Sequence, residues 1–162
     1  NAGLVVAESV YVVIALALVY GGTAQVLAGM WEFKKNNVFG ATAFTSYGAF
    51  WVSLGIFELL AIQKVWVIPP QGTWLFLLAW TIFTAYMWLG SFGTNKALIV
   101  VFTLLLLTFI LLTIGAAGND AAHTWGGYCG IVTAIAAWYT SAAGIYNAVF
   151  GRVVLPVGPC KK

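Results

Sequence analysis

Charged residues are scarce in this chain of 162 residues, of which only 7% are Asp, Glu, Lys or Arg. A water-soluble domain needs more polar surface than this to stay dispersed, so a soluble protein is excluded. Cysteine is also rare, and two residues, Cys129 and Cys160, make no disulfide framework, so we interpret both as free thiols. The single histidine, His123, begins an apolar run and is expected to be solvated at the membrane interface.

Sets of catalytic residues are missing as well. No spacing of His, Cys, Asp or Glu suggests a metal site, no Ser, His and Asp are expected to face a common pocket, and there is no glycine-rich phosphate loop. The sequence therefore predicts that the protein is not an enzyme and has no cofactor, no metal and no nucleic-acid partner. An intramembrane enzyme is the least favoured alternative.

Apolar residues are abundant, at 62% of the chain with a mean hydropathy of +0.98. They form continuous runs of about 20 residues, the length of a membrane-spanning helix, without the alternation of a barrel strand. The sequence therefore predicts an all-α integral membrane protein: one transmembrane helical domain over residues 1–162, in contact with the lipid bilayer. The predicted spans are Val10–Met30, Ala41–Ile62, Thr73–Phe92, Ala97–Ile114 and Ala122–Phe150.

The basic residues indicate the orientation, because positive charge near the ends of spans is retained in the cytoplasm. Six of the seven fall on one side, and only Lys64 falls on the other. The six are Lys34, Lys35, Lys96, Arg152, Lys161 and Lys162. We therefore expect a multi-pass protein of the cell membrane with a cytoplasmic C-terminus. Five spans would place Asn1 outside, so we expect a further N-terminal helix, making six in the complete protein.

Polar residues in the first two spans are the candidates for function. Gly22, Gln25 and Gly29 share one helix face with Glu32, and Gln25 offers a donor and an acceptor near mid-membrane. Alternatively, Gln25 bonds to a neighbouring helix and the glycines only permit close packing.

The second span carries hydroxyl groups through its first half, among them Thr45 and Tyr47. The ring of Tyr47 could narrow a passage, while its hydroxyl must find a partner. Alternatively, such hydroxyls bond to the preceding turn of their own helix. In the last span a seam of small residues predicts a packing face. It comprises Gly130, Ala134, Ala137, Ser141 and Gly144.

Two carboxyl groups lie in or near the spans. Glu32 is expected at a cytoplasmic helix end beside Lys34 and Lys35, where local pairing suffices. Glu58 lies in the outer third of the second span, where charged residues are usually functional. Either could line a vestibule or take up a proton.

Several motifs together carry a family resemblance. They are the run from Tyr20 to Gln25, Ala28-Gly29, the run from Trp31 to Lys35, the run from Phe39 to Trp51, and the closing segment from Phe150 to Gly158. In this order they resemble the acetate uptake transporter family, also called the succinate-acetate permease or YaaH-like family. The family's first helix, with its Asn-Pro-Ala-Pro-Leu-Gly-Leu signature, is not present in this sequence.

The resemblance implies a fold of six transmembrane helices with both ends cytoplasmic, and a homohexamer with a pathway in each protomer. It implies movement of acetate, and in some members succinate, either with protons or by channel-like conduction. Gln25 would then face the permeating carboxylate, and Tyr47 and Leu105 would form a narrow constriction, with Gly22 and Thr45 beside the path.

The sequence thus predicts a carrier of acetate and similar small carboxylates that uses proton coupling. Two alternatives stay open: an uncoupled acetate anion channel, and a non-transporting oligomeric membrane scaffold whose small residues exist only for packing.

Overall fold

The computed structural model describes residues 2–160, apart from the side chain of Ala7. Over these residues it contains five helices long and apolar enough to cross a membrane. They are α1 (Val10–Lys34), α2 (Val38–Ile62), α3 (Pro70–Ser91), α4 (Lys96–Ala116) and α5 (Asp120–Phe150), and a 3₁₀ turn, Ala7–Ser9, precedes α1. The shortest, α4, has 21 residues, about 30 Å at a rise of ~1.5 Å per residue. The predicted all-α membrane fold is confirmed.

Three helices begin earlier than predicted because asparagine side chains cap them. The Oδ1 atom of Asn37 accepts a hydrogen bond from Gly40 N at 3.1 Å, so α2 begins at Val38 rather than Ala41. Equivalent bonds at 2.9 Å run from Leu98 N to Asn95 and from Ala122 N to Asn119. An N-cap satisfies backbone donors that have no partner inside the helix, and it extends the helix by one to three residues here.

Proline determines the start of α3. Pro70 is the first residue of that helix, a position where its missing N–H costs nothing and its fixed φ suits the helix. The preceding helix, α2, ends at Ile62, and Lys64 then adopts a left-handed conformation with φ 58°. The first helix is longer than predicted, because the chain turns only at Lys35 to Asn37, where Asn36 has φ 56°.

The described chain divides into two compact units, Leu4–Pro69 and Pro70 onward, the latter grouped with the extreme N-terminus. In the first unit α1 and α2 form an antiparallel pair. Gly48 of α2 lies against Val26 of α1, where an added Cβ would come 2.7 Å from Val26 Cγ2. Such close backbone approach is typical of membrane helices, which lack a hydrophobic driving force between them. The expectation of a single domain stays a prediction.

A π-helical turn interrupts α1 from Val19 to Ala24. The hydroxyl of Thr23 donates to Leu18 O at 2.8 Å, five residues earlier, which matches the wider register of this turn. A π turn adds a residue to the helix and so rotates the side chains after it relative to those before it. Gln25 is the first residue after this turn.

In the second unit, α4 contacts both α3 and α5. Hydroxyl groups link these helices: Thr81 and Thr113 lie 2.8 Å apart, and Thr108 and Thr133 lie 3.2 Å apart. The indole of Trp88 donates to Thr103 Oγ1 at 2.9 Å. Such bonds keep polar atoms satisfied inside an apolar bundle.

The segment after α5 folds back onto the unit. Gly151, with φ 62°, ends α5 in a left-handed turn, and Asn147 then bonds to the backbone of Val154 and Leu155. Farther on, Gly158 O accepts from Lys96 N at 2.8 Å. The segment therefore satisfies free amides at the start of α4 and ties that end of the unit to α5.

Candidate functional site

Gln25 lies in the middle of α1 and is half-buried. Its carboxamide makes no hydrogen bond with any residue between 2 and 160, so the alternative of an interhelical bond has no partner in the described chain. The amide can donate and accept. The Gln25 amide is therefore available to hydrogen-bond with a polar substrate that reaches it.

Tyr47 lies at the same level of the α1–α2 pair as Gln25. An added Cβ on Gly21 would lie 3.5 Å from Trp51 Cγ, so these two residues face each other across the helix contact. After the π turn, Val26 of α1 contacts Gly48 of α2, and Gln25 and Tyr47 each come directly before one of these two residues in the antiparallel pair. Tyr47 also precedes Trp51 by one turn of α2. Both residues therefore lie on the side of the pair that Trp51 occupies. Tyr47 is 8% exposed.

Gly22 and Thr45 lie in the helix contact itself. Gly22 is buried against Val52, and Thr45 packs against Gly29, where an added Cβ would come 2.8 Å from Thr45 N. The Thr45 hydroxyl donates to Ala41 O of its own helix, as the back-bonding alternative anticipated. Packing is the role that the structure gives these two residues, and their assignment to the pathway stays a prediction.

The two carboxyl groups have different surroundings. Glu32 pairs locally: its Oε1 atom lies 3.8 Å from Lys35 Nζ, and its other oxygen accepts a hydrogen bond from Asn37. Glu58 is half-buried in α2, four residues before its end, and forms no ion pair or hydrogen bond with a described residue. Glu32 therefore helps to fix the α1–α2 turn, whereas the Glu58 carboxyl group has no partner in the described part of the chain.

Leu105 is half-buried in the middle of α4 and belongs to the second unit. Its place in a constriction stays a prediction. The predicted seam on α5 is mostly not a packing face of the described chain: Ala134, Ser141 and Gly144 are exposed, and nothing lies within 4 Å of a Cβ added to Gly144. The contact with α4 instead uses a neighbouring face that includes Gly126 and Thr133.

Two features of the site were not predicted from the sequence. One is the π turn at Val19–Ala24, whose only visible signal is the adjacent pair Gly21 and Gly22 in the middle of an apolar span. The other is the position of Trp51 opposite Gly21, which depends on the register between two helices. A glycine pair inside a helix usually has a packing reason, and that rule could have indicated the first feature.

The fold and this site define a multi-pass helical membrane protein whose first two described helices pack through glycines and hold an unpaired amide level with a buried tyrosine. The chain belongs to the GPR1/FUN34/yaaH family, which it matches over residues 1–161. The family resemblance of the sequence motifs is thereby confirmed.

Individual relatives are close over most of the chain. It is 39% identical over 149 residues to the succinate-acetate/proton symporter SatP of Escherichia coli K12, covering 91% of this chain and 79% of that protein. It is 37% identical over 163 residues to acetate permease A of Emericella nidulans, covering 90% of this chain and 55% of that protein. The solved structure of the bacterial acetate channel SatP matches with a TM-score of 0.90 and 38% identity, covering 98% of this chain and 87% of that one.

Proposed function

We propose that this protein carries acetate and similar small carboxylates across the membrane, with coupling to protons. The observation that carries the proposal is the Gln25 carboxamide, which has no partner among residues 2–160 and is level with Tyr47, in a chain that belongs to a family with relatives named for acetate. An amide can donate a hydrogen bond to a carboxylate oxygen, or accept one from a protonated acid. Tyr47 supplies an apolar ring that limits the width of the path.

Charge explains why a small acid suits such a path. Within the described chain the basic residues lie at helix ends or in the connections, such as Lys34 at the end of α1 and Lys96 at the start of α4. An anion at the middle of the membrane would therefore meet amides and hydroxyls but no full countercharge, which is costly. An acid that crosses protonated, or passes quickly through a short constriction, avoids this cost.

Uncoupled conduction is the second candidate function. It is favoured by the structural match, because that relative is described as an acetate channel, whereas the relative from Escherichia coli is named a proton symporter. The names of both relatives also support the expectation that the chain is not an enzyme. A scaffold without transport is the alternative from another class, and it predicts that Gln25 and Tyr47 matter only for assembly.

For the orientation we propose that the α1–α2 turn and the C-terminus face the cytoplasm. Lys34 and Lys35 flank that turn, and Lys96 and Arg152 share one end of the second unit, where the closing segment bonds to the start of α4. Lys161 and Lys162, which the expectation also used, lie outside the described residues. We also propose the homohexamer that the resemblance implies, which native mass spectrometry of the purified protein would test.

The deciding experiment is uptake of radiolabelled acetate into proteoliposomes, with and without an inward proton gradient. Symport predicts accumulation above equilibrium only with the gradient, and a channel predicts equilibration in both cases. Gln25→Ala should lower the initial rate while the protein still assembles. Gln71→Ala is the matched control, because Gln71 is exposed in the first turn of α3. No uptake by the parent protein, with its assembly intact, would favour the scaffold, whereas uptake that is unchanged in Gln25→Ala would remove Gln25 from the path.

A further inference from the structure

Glu58 stands out as a carboxyl group that lies inside an apolar helix and has no partner among residues 2–160. It lies in the membrane-spanning helix α2, is half-buried, and makes no ion pair or hydrogen bond with any described residue. A charged side chain in a span normally pairs with another group or faces a polar cavity. Since no described group pairs with Glu58, its carboxyl group needs water or a polar substrate beside it.

The helix geometry places Glu58 on the same side of α2 as Tyr47. Glu58 follows Trp51 by seven residues and Tyr47 by eleven, close to two and three full turns of ~3.6 residues. Trp51 faces Gly21 at the edge of the α1–α2 contact, on the side where Gln25 and Tyr47 lie. The distance along α2 from Tyr47 to Glu58 is about 16 Å at ~1.5 Å per residue. Tyr47, Trp51 and Glu58 thus lie along one side of α2. Glu58 is at the end of that side that is remote from Lys34 and Lys35.

Among the described residues of the first unit, Glu58 has no basic partner. Where α1 packs near this end of α2, Ala17 and Leu18 lie against Gly55, and both are apolar. The other titratable groups of the first unit at this end are Tyr11 and Glu8 near the start of α1 and Lys64 after α2, and Lys64 is exposed. None of them bonds to Glu58.

We propose that Glu58 is a specificity-determining residue that selects monocarboxylates against dicarboxylates. The inference rests on the proposed function and deepens it, because it concerns which acids enter the same path. A carboxylate at the entrance of the path, near the C-terminal end of α2, repels a permeating anion. Coulomb repulsion scales with the charge of that anion. Succinate carries two negative charges at neutral pH and acetate carries one. Glu58 therefore penalises succinate more than acetate in this chain.

The test compares initial uptake of labelled succinate and labelled acetate into proteoliposomes at neutral pH. Glu58→Gln removes the charge with little change of shape, and it should raise the ratio of succinate to acetate uptake about tenfold, equivalent to about 1.4 kcal/mol. Glu58→Asp keeps the charge and should keep the ratio of the parent protein. Glu8→Gln is the matched control, since Glu8 is exposed in the 3₁₀ turn at the same end, and it should also leave the ratio unchanged.

A second charge-removing variant, Glu58→Leu, suits an apolar span and should show the same rise as Glu58→Gln. An unchanged ratio in both variants, with acetate uptake intact, would overturn the selection role. A loss of acetate uptake in both variants would also overturn it, because the carboxyl group would then be needed for conduction. Failure of the proposed function looks different: the parent protein itself would take up neither acid.

Discussion

Gly22 of α1 and Val52 of α2 lie so close that a Cβ added to Gly22 would fall 2.6 Å from Val52 Cγ2. The same Cβ would collide with Ala17 O of its own helix, because the π turn brings that carbonyl beneath Gly22. Two independent contacts therefore require glycine at position 22: that with the neighbouring helix and that with the carbonyl of the π turn. Gln25 follows within one turn, so this contact also fixes the level at which its amide is presented.

Gly22→Ala is expected to destabilise the α1–α2 pair. Overpacking a tight contact costs about 1–3 kcal/mol, and neither Val52 nor the carbonyl can move away without shifting a helix. Thermal unfolding of the purified protein in detergent should show a lowered midpoint, and acetate uptake should fall with it. Gly144→Ala is the control, because nothing lies within 4 Å of its added Cβ. Equal midpoints for the two variants would show that the pair is not under this constraint.

Tyr47→Ala is expected to relax the selection of acids by size. Removing the ring leaves space at the level of Gln25, so butyrate uptake should rise relative to acetate by about tenfold, the scale on which apolar pockets discriminate one or two methylene groups. Tyr47→Phe keeps the ring and should keep the ratio. Initial uptake rates of the two acids measure the effect.

The ratio of butyrate to acetate is the appropriate readout for Tyr47, because truncating a buried aromatic also costs about 3–5 kcal/mol of stability and lowers all rates together. Size-exclusion chromatography should confirm that Tyr47→Ala is still monodisperse. A ratio equal to that of the parent protein would remove Tyr47 from the constriction.

The helices themselves were predictable, because each needs only a continuous apolar run and a polar break. Even their starts follow a local rule, since Asn37, Asn95 and Asn119 each cap the helix that follows. The resemblance singled out Gln25 and Tyr47, but no sequence rule gave their common level. That level depends on a register between two helices, which Gly22, Gly48 and their partners determine through contacts distant in sequence.

Other features could not be predicted for a similar reason. The seam on α5 has ideal small-residue spacing, yet the described chain packs α5 through Gly126 and Thr133, because α4 presents Leu112 and Thr108 there. Spacing identifies a face that can pack closely, but it does not say which of two adjacent faces a neighbour covers. The fold-back after α5 likewise depends on Asn147 meeting backbone groups seven and eight residues later.

Thr113→Val is expected to cost about 1 kcal/mol of stability. Thr113 Oγ1 lies 2.8 Å from Thr81 Oγ1 and joins α4 to α3, and hydrogen bonds between membrane helices contribute roughly 0.6 to 1.7 kcal/mol. The partner left behind stays satisfied, since the single hydroxyl hydrogen of Thr81 is donated to Leu77 O at 2.8 Å. Thermal unfolding in detergent measures the change.

The matched control for Thr113 is Thr140→Val. The Thr140 hydroxyl donates to Ala136 O in its own helix and to no described residue of another helix, so its removal should cost less than about 0.5 kcal/mol. Equal losses in the two variants would mean that the bond between α3 and α4 adds nothing to the stability of the unit.

Asn147→Ala is expected to release the segment that folds back after α5. The Asn147 side chain donates to Leu155 O at 2.8 Å and accepts from Val154 N at 2.7 Å and Leu155 N at 3.0 Å. Three bonds at about 1 kcal/mol each would favour local opening by roughly a hundredfold when lost. Amide hydrogen exchange at Val154 and Leu155 should therefore accelerate by about that factor.

Asn147→Asp distinguishes the donated bond from the two accepted bonds, because it keeps the acceptor oxygen and loses the donor. Its exchange rates at Val154 and Leu155 should fall between those of the parent protein and Asn147→Ala. The amide of Leu98 is the internal control, since its bond to Asn95 does not involve Asn147. Its exchange should stay slow in both variants. If exchange at Val154 and Leu155 does not change, the segment is held by other bonds: that of Gly158 O to Lys96 at the start of α4, and that of Cys160 N to Thr94 O in the turn before it.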